Sequence, residues 1–292
     1  MTLVRTADLL ADAYARGTGL AALNVITLEH AEGTVLGAEQ AGLPVVLQVS
    51  QNAARFHLDD PAPLTAALLA LARTSLVDVA LHLDHVTQVE LLHRAAECGF
   101  SSVMFDAGPL PYDDNVAATR EAAAWGHEHG LLVEAELGYV GGKAATGWAQ
   151  VESAHGSGVR TDPDQAREYV AATGVDALAV AVGSRHAMKT ADAELDLDLV
   201  ARLRATVDVP LVLHGSSGVP QPAVADAVRA GMTKVNIGTI STVAFTRAIR
   251  QHLADVPDVT DPRQYLTPAR KAVSVLVAEL VSTVALAGTR SS

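Results

Sequence analysis

Eight short apolar runs, each followed by a helical stretch, with chemically reactive side chains falling just past the runs, predict an α/β fold of the (β/α)8 barrel type. The length of 292 residues agrees, and the chain reads as a single unit spanning 1–292. A doubly wound open sheet would need fewer units or a second domain. Composition agrees too. Hydrophobic residues make up 49% and aromatics only 4%, so the core must be built from Ala, Val and Leu, the packing of helices around a buried parallel sheet.

In chain order, residues 6–16 form an amphipathic lead-in helix. After Gly17 and Gly19 the strands fall at 20–25, 44–49, 77–83, 101–105, 131–137, 177–182, 210–213 and 234–237. Helical patterns separate them at 28–41, 62–74, 87–98, 113–129, 163–173, 195–206, 221–230 and 240–253. Several end on glycine, as at Gly42 and Gly99, which suits a left-handed helix terminus. The last apolar run, Ala272 to Gly288, is interrupted by Glu279 and too short for the ~20 residues of a membrane span. It predicts a C-terminal helical extension that packs on the barrel or joins subunits.

The formal charge of −12 excludes nucleic acid and anionic membrane surfaces as partners, since both select basic patches. An anionic substrate must then be held by local groups. The single cysteine, Cys98, cannot form an internal disulfide and reads as a core filler in a reducing compartment. The first residues carry Arg5, Asp8 and Asp12 and do not form a signal peptide, so a cytoplasmic location is expected.

The third strand runs directly into His82-Leu83-Asp84-His85. Buried strands usually stop in turn residues, and polar groups at the carboxyl ends of barrel strands share one mouth. Taken in order those ends offer Asn24, Ser50, Asp84 with His85, Asp106, Glu136, His186, His214, and Asn236 with Thr239. His85, His186 and His214 supply three imidazole nitrogens with one position left open, the pattern of a catalytic zinc. His30, His57, His93, His127, His129, His155 and His252 lie in helices or loops and read as surface or cap residues. His82 sits one step inside the strand, in a supporting place. Two loops, His214 to Gly218 and Asn236 to Thr239, are rich in small residues whose backbone N–H groups suit a phosphate, at the usual phosphate position of barrels.

Nearly the whole chain resembles the class II, metal-dependent ketose-bisphosphate aldolases of the fructose- and tagatose-bisphosphate group. The likeness lies in Asn24-Val25, His82-Leu83-Asp84-His85, Ser102 to Asp106, Glu134 to Gly138 with Gly141-Gly142, Gly183 to His186, Leu213 to Gly218, Lys234 to Asn236, and Asp261-Pro262-Arg263. It implies zinc on His85, His186 and His214, stabilising the enediolate of dihydroxyacetone phosphate, with a monovalent cation as an optional cofactor. Asp84 would exchange the proton of the aldehyde-derived hydroxyl. Gly215, Ser217, Asn236 and Thr239 match phosphate-binding positions, and Asn24 and Ser50 substrate-contacting ones. Arg263 matches an arginine that reaches the far phosphate, across a subunit boundary. Asp106 and Glu136 match carboxylates that shape the metal site or hold a second ion. A homodimer or homotetramer is implied.

The chain departs from the family pattern in three places. Lys143-Ala144-Ala145 stands where a glutamate base is usual, and Glu152, the only carboxylate between Gly142 and Asp162, is the expected replacement. Ala187 replaces a glycine beside the phosphate. Gly108-Pro109 replace Ser-His. The expected activity is reversible aldol cleavage of a phosphorylated ketose. The competing readings are a repurposed sugar-phosphate-binding protein and a metal-dependent isomerase or epimerase. A Schiff-base aldolase is disfavoured because Lys189 lies past the sixth strand and Lys234 opens the eighth at the opposite pole.

Overall fold

A computed structural model of the chain describes residues 2–138, 160–184 and 193–287. Helix α1 (Thr6–Arg16) precedes β1 (Leu20–Asn24), α2 (Leu28–Ala41), β2 (Val45–Ser50), α3 (Gln51–Phe56), α4 (Ala62–Thr74), β3 (Val79–Val86) and α5 (Val89–Cys98). Then come β4 (Ser102–Phe105), α6 (Tyr112–Glu128), β5 (Leu132–Leu137), α7 (Pro163–Thr173), β6 (Ala177–Val180), α8 (Leu197–Thr206) and β7 (Leu211–Leu213). The chain closes with α9 (Gln221–Ala230), β8 (Met232–Ile237), α10 (Thr239–Asp255) and α11 (Pro262–Val284). All eight strands pair in parallel, in sequence order, and β8 closes on β1 to complete a barrel. The predicted fold class is therefore observed.

Side chains alternate between the two faces of each strand, and the closed sheet converts that alternation into two cores. Leu23, Val45, Leu47, Leu81, Val103, Val133 and their outward-facing neighbours pack against the helices. Leu20, Ala22, Val46, Ala80, Leu132, Ala177, Ala179 and Val212 fill the lower barrel, where Leu10 and Ala13 of α1 seal them from below. The lead-in helix is thus the plug at the amino-terminal pole of the barrel.

Three features differ from the sequence reading. Strand β3 runs on to Val86, so Asp84 and His85 lie within it. The short helix α3 follows Ser50, whose hydroxyl accepts from the Ala53 N–H as its N-cap. The third concerns the eighth helix. Of α10 only Ser241 is buried, whereas α11 packs against α9, α2 and β1 and so fills the last slot of the helical ring. The C-terminal run is therefore part of the barrel, and α10 lies outside on α11.

Contact between α11 and α2 is unusually close because Gly33 and Gly37, one turn apart, present no side chain. A Cβ at Gly37 would stand 2.5 Å from the Ser274 carbonyl oxygen, and one at Gly33 2.7 Å from that of Arg270. His30, expected at the surface, is instead buried in α2, where its Nε2 lies 2.7 Å from Ser241 Oγ and its ring stacks on Phe245. It ties α10 to the barrel. No helix among the described residues is long and apolar enough to cross a membrane.

Two predictions follow from this packing. Gly37→Ala forces backbone apart at a helix crossing and is expected to destabilise the fold by about 2 kcal/mol, read as a lowered thermal midpoint. Burial pushes the His30 imidazole from 6.5 down to about 4, so the folded state resists its protonation. Its contribution is complete above about pH 6.5 and is lost as pH falls toward 4, amounting to about 2 kcal/mol near pH 5. His30→Leu should therefore lose less melting temperature than the parent chain between about pH 7 and about pH 5.

Candidate active site

The carboxyl ends of the strands bring Asp84, His85 and His214 together, with one ligand atom from each lying within 4.8 Å of the others. Asp84 and His214 are buried and His85 is nearly so, and the two imidazole rings meet edge to face at 4.9 Å. Adjacent residues of a flat strand would point to opposite faces. Here the register of β3 against β4 shifts between Leu83 and Val86, and His85 takes a left-handed backbone conformation at φ 53°. This bulge turns both side chains toward the mouth.

Each imidazole is held by a carboxylate. His85 Nδ1 lies 2.9 Å from Asp106 Oδ2. His214 stands between two, with Nε2 at 2.9 Å from Glu134 Oε1 and Nδ1 at 2.8 Å from Glu136 Oε2. Burial works to lower the His214 pKa. The hydrogen bonds and charges of Glu134 and Glu136 outweigh it and push the group up to about 9. Burial likewise opposes the charge of Asp84, but His85, His214, His82 and Lys234 together hold its pKa below the ordinary value. The cluster thus favours positive charge at its centre. Two imidazoles with a carboxylate beside them, all close and largely dehydrated, are a setting of the kind zinc selects. Asp84 Oδ1 is buried and has no hydrogen-bond partner among the described residues.

Beneath this cluster the barrel carries a second polar layer, of which the sequence reading placed only His82. Lys234 Nζ lies 2.7 Å from Glu134 Oε2 and 3.4 Å from Gln48 Oε1, and Gln48 Nε2 donates to Asn24 Oδ1 at 2.8 Å. His82 Nδ1 pairs with Ser102 Oγ at 2.8 Å, and burial, with Lys234 nearby, pushes its pKa down to about 3. Lys234 is therefore not at the opposite pole. Strand β8 begins two residues earlier, at Met232, and places the lysine just under the mouth. It is an ion-paired cation, which does not suit a Schiff-base nucleophile.

Next to the cluster, β7 ends in Gly215 at φ 68° and a single 3-10 turn over Ser216–Gly218. Ser216 Oγ donates to the Asn236 carbonyl at 2.6 Å, and Ser217 Oγ accepts from the Ile240 N–H at 3.3 Å. These bonds dock the turn on the start of α10, where Thr239 stands. The Asn236 side chain is buried, and neither its oxygen nor its nitrogen has a partner among the described residues. Ser50 is level with Asp84 in the β2–β3 register. So Asn24, Ser50, Gly215, Ser217, Asn236 and Thr239 share the mouth with Asp84, His85, Asp106, Glu136 and His214. Arg263 does not join them. It sits exposed at the start of α11 and pairs with its own Asp261 at 2.7 Å. His186 and Glu152 lie outside the described residues.

Fold and site define a barrel enzyme with a cluster of metal-binding composition beside the turn after β7 and the start of α10. The chain belongs to the fructose-bisphosphate aldolase class-II family, whose model matches residues 4–289, and this makes it an aldolase. It is 35% identical over 280 residues to the fructose-bisphosphate aldolase of Geobacillus stearothermophilus, covering 95% of each chain. The same identity and coverage hold for the probable fructose-bisphosphate aldolase of Bacillus subtilis. Among solved structures it superposes on the YdjI aldolase of Escherichia coli K12 with a TM-score of 0.82 at 30% identity, over 99% of this chain and 100% of that one.

The roles of Asp84 and the histidines separate in a metal-content measurement. After loading with zinc, Asp84→Asn is expected to retain the added ion through dialysis and lose turnover, while His85→Ala and His214→Ala do not retain it. Zinc loss from Asp84→Asn would make Asp84 a ligand.

Proposed function

We propose that this chain catalyses reversible aldol cleavage of a ketose (bis)phosphate to dihydroxyacetone phosphate and an aldehyde, with zinc as its metal. The observation that carries the reading is the meeting of Asp84, His85 and His214 at the barrel mouth, beside the turn after β7 and the start of α10. His85, His214 and His186 are the proposed ligands. A zinc ion there supplies positive charge against the oxygens of the three-carbon fragment and so eases loss of its C3 proton.

The chain's own residues do the rest. Asp84, ionised at neutral pH, takes the hydroxyl proton as the carbon–carbon bond breaks and returns it in condensation. Asn236, Ser217 and Gly215 hold the phosphate of the three-carbon fragment at the N-terminus of α10, with Thr239 in its first turn. Amide donors suit this acidic chain, because they bind an anion without adding a basic patch. Asn24 and Ser50 face the fragment from β1 and β2. Glu152 is proposed as the base that exchanges the C3 proton. Asp106 steadies His85, Glu136 stands at His214 Nδ1 until the ion takes that position, and both carboxylates offer oxygens to a second ion. Arg263, standing away from its own chain's cluster, suits the far phosphate of a neighbouring copy in a homodimer or homotetramer.

Exchange of the C3 proton of dihydroxyacetone phosphate with heavy water tests the reading without any aldehyde. The zinc-loaded chain should catalyse it, a chelator should abolish it, and Glu152→Ala should slow it by about 100-fold or more. No exchange by the zinc-loaded chain would reject the aldolase mechanism. Normal exchange by Glu152→Ala would move the base elsewhere.

A further inference from the structure

Glu134 and Lys234 are 0% and 1% exposed, and neither is needed to fill the barrel, whose lower interior is packed by Ala, Val and Leu. Stability does not account for them. A buried ion pair is commonly no more stabilising than a well-packed apolar pair of the same volume, because dehydrating two charges offsets their attraction. The geometry offers another reason. Both oxygens of Glu134 are committed, Oε2 to Lys234 Nζ at 2.7 Å and Oε1 to His214 Nε2 at 2.9 Å. The lysine is fixed from its other side by Gln48 Oε1 at 3.4 Å, and Gln48 by Asn24 at 2.8 Å. The carboxylate therefore cannot rotate away from the histidine.

We propose that Glu134 and Lys234 are a positioning pair for the metal site: Lys234 locks the Glu134 carboxylate, which holds the His214 proton on Nε2 and presents Nδ1 to the metal. Glu134 touches neither substrate nor metal in this arrangement and acts only through His214. A carboxylate on the far nitrogen of a ligating imidazole fixes its tautomer and ring plane and strengthens it as a donor. The far end of the chain, Asn24, lies at the mouth end of β1, so the same network couples the metal edge of the barrel to its substrate edge. The inference rests on the aldolase reading only in taking His214 as a ligand.

The test replaces both charges together, Glu134→Gln with Lys234→Met, which keeps the volumes and an oxygen for His214 without stranding a charge. The expected result is a near-parental melting temperature with zinc affinity weakened by about 10- to 100-fold, measured by competition with a chelating dye. A folded double variant that binds zinc as tightly as the parent overturns the proposal, since a merely structural pair would move melting and leave affinity alone. A second measurement needs no variant. In the zinc-loaded parent, nitrogen-15 NMR should show His214 protonated at Nε2 and ligating through Nδ1, and the reverse assignment also overturns it. Both readouts are independent of substrate, so absence of C3 exchange would remove the aldolase reading and leave this result standing.

Discussion

Every second residue of every strand points into the barrel, and what those residues carry changes with height along the axis. At the bottom they are small and apolar, and α1 closes the floor over them. One step up, Gln48, His82, Ser102, Glu134 and Lys234 form a polar layer with little access to water. The next inward step brings Ser50, Asp84, Glu136 and Asn236 to the mouth. Because the floor is sealed, charges in the middle layer must find their partners within it, for an unpaired ion there would cost several kcal/mol. The pairing of Glu134 with Lys234 meets that demand, and the site above is built on the result.

Two imidazoles in this interior show how local contacts decide charge. His82 and His214 are both fully buried, and burial alone lowers the pKa of either. His82 bonds a neutral serine hydroxyl and has Lys234 nearby, so it goes down to about 3. His214 has a carboxylate on each nitrogen and goes up to about 9. The two rings differ in their neighbours rather than in their depth. Four carboxylates, of Asp84, Asp106, Glu134 and Glu136, gather against one buried lysine, and the excess of negative charge is what a divalent cation would neutralise.

Much of this was legible in the sequence. Strand ends were readable because apolar β-branched runs stop abruptly, and residues just past them had to meet if the sheet closed. Of the middle layer only His82 was recognised, although the layer leaves a signature: Gln48, His82, Glu134 and Lys234 each stand two positions before Ser50, Asp84, Glu136 and Asn236. Period two is what an inward-facing strand requires, and looking only at the ends discarded it. His30 looked like a cap residue because helical spacing does not reveal that α10 covers it. The exchange of roles between α10 and α11 was hidden for a similar reason. Both read as helical, and only the close approach allowed by Gly33 and Gly37 decides which one packs against α2.

The bulge at His85 shows why the reactive residues of β3 could be read as a cluster but not as a geometry. A left-handed backbone at a residue with a Cβ costs about 1–2 kcal/mol, and a regular strand would avoid it. The hydrogen bond from His85 Nδ1 to the Asp106 carboxylate, at 2.9 Å, has a charged acceptor and is worth about 1.5–3 kcal/mol. The contact is therefore large enough to hold the strained conformation before any ion arrives. Asp106 comes from the end of β4, the strand against which the register shifts. The same pairing of strands that creates the bulge thus delivers the side chain that stabilises it. Through that one irregularity, two neighbouring residues turn into one mouth, and a single strand can offer both a carboxylate and an imidazole.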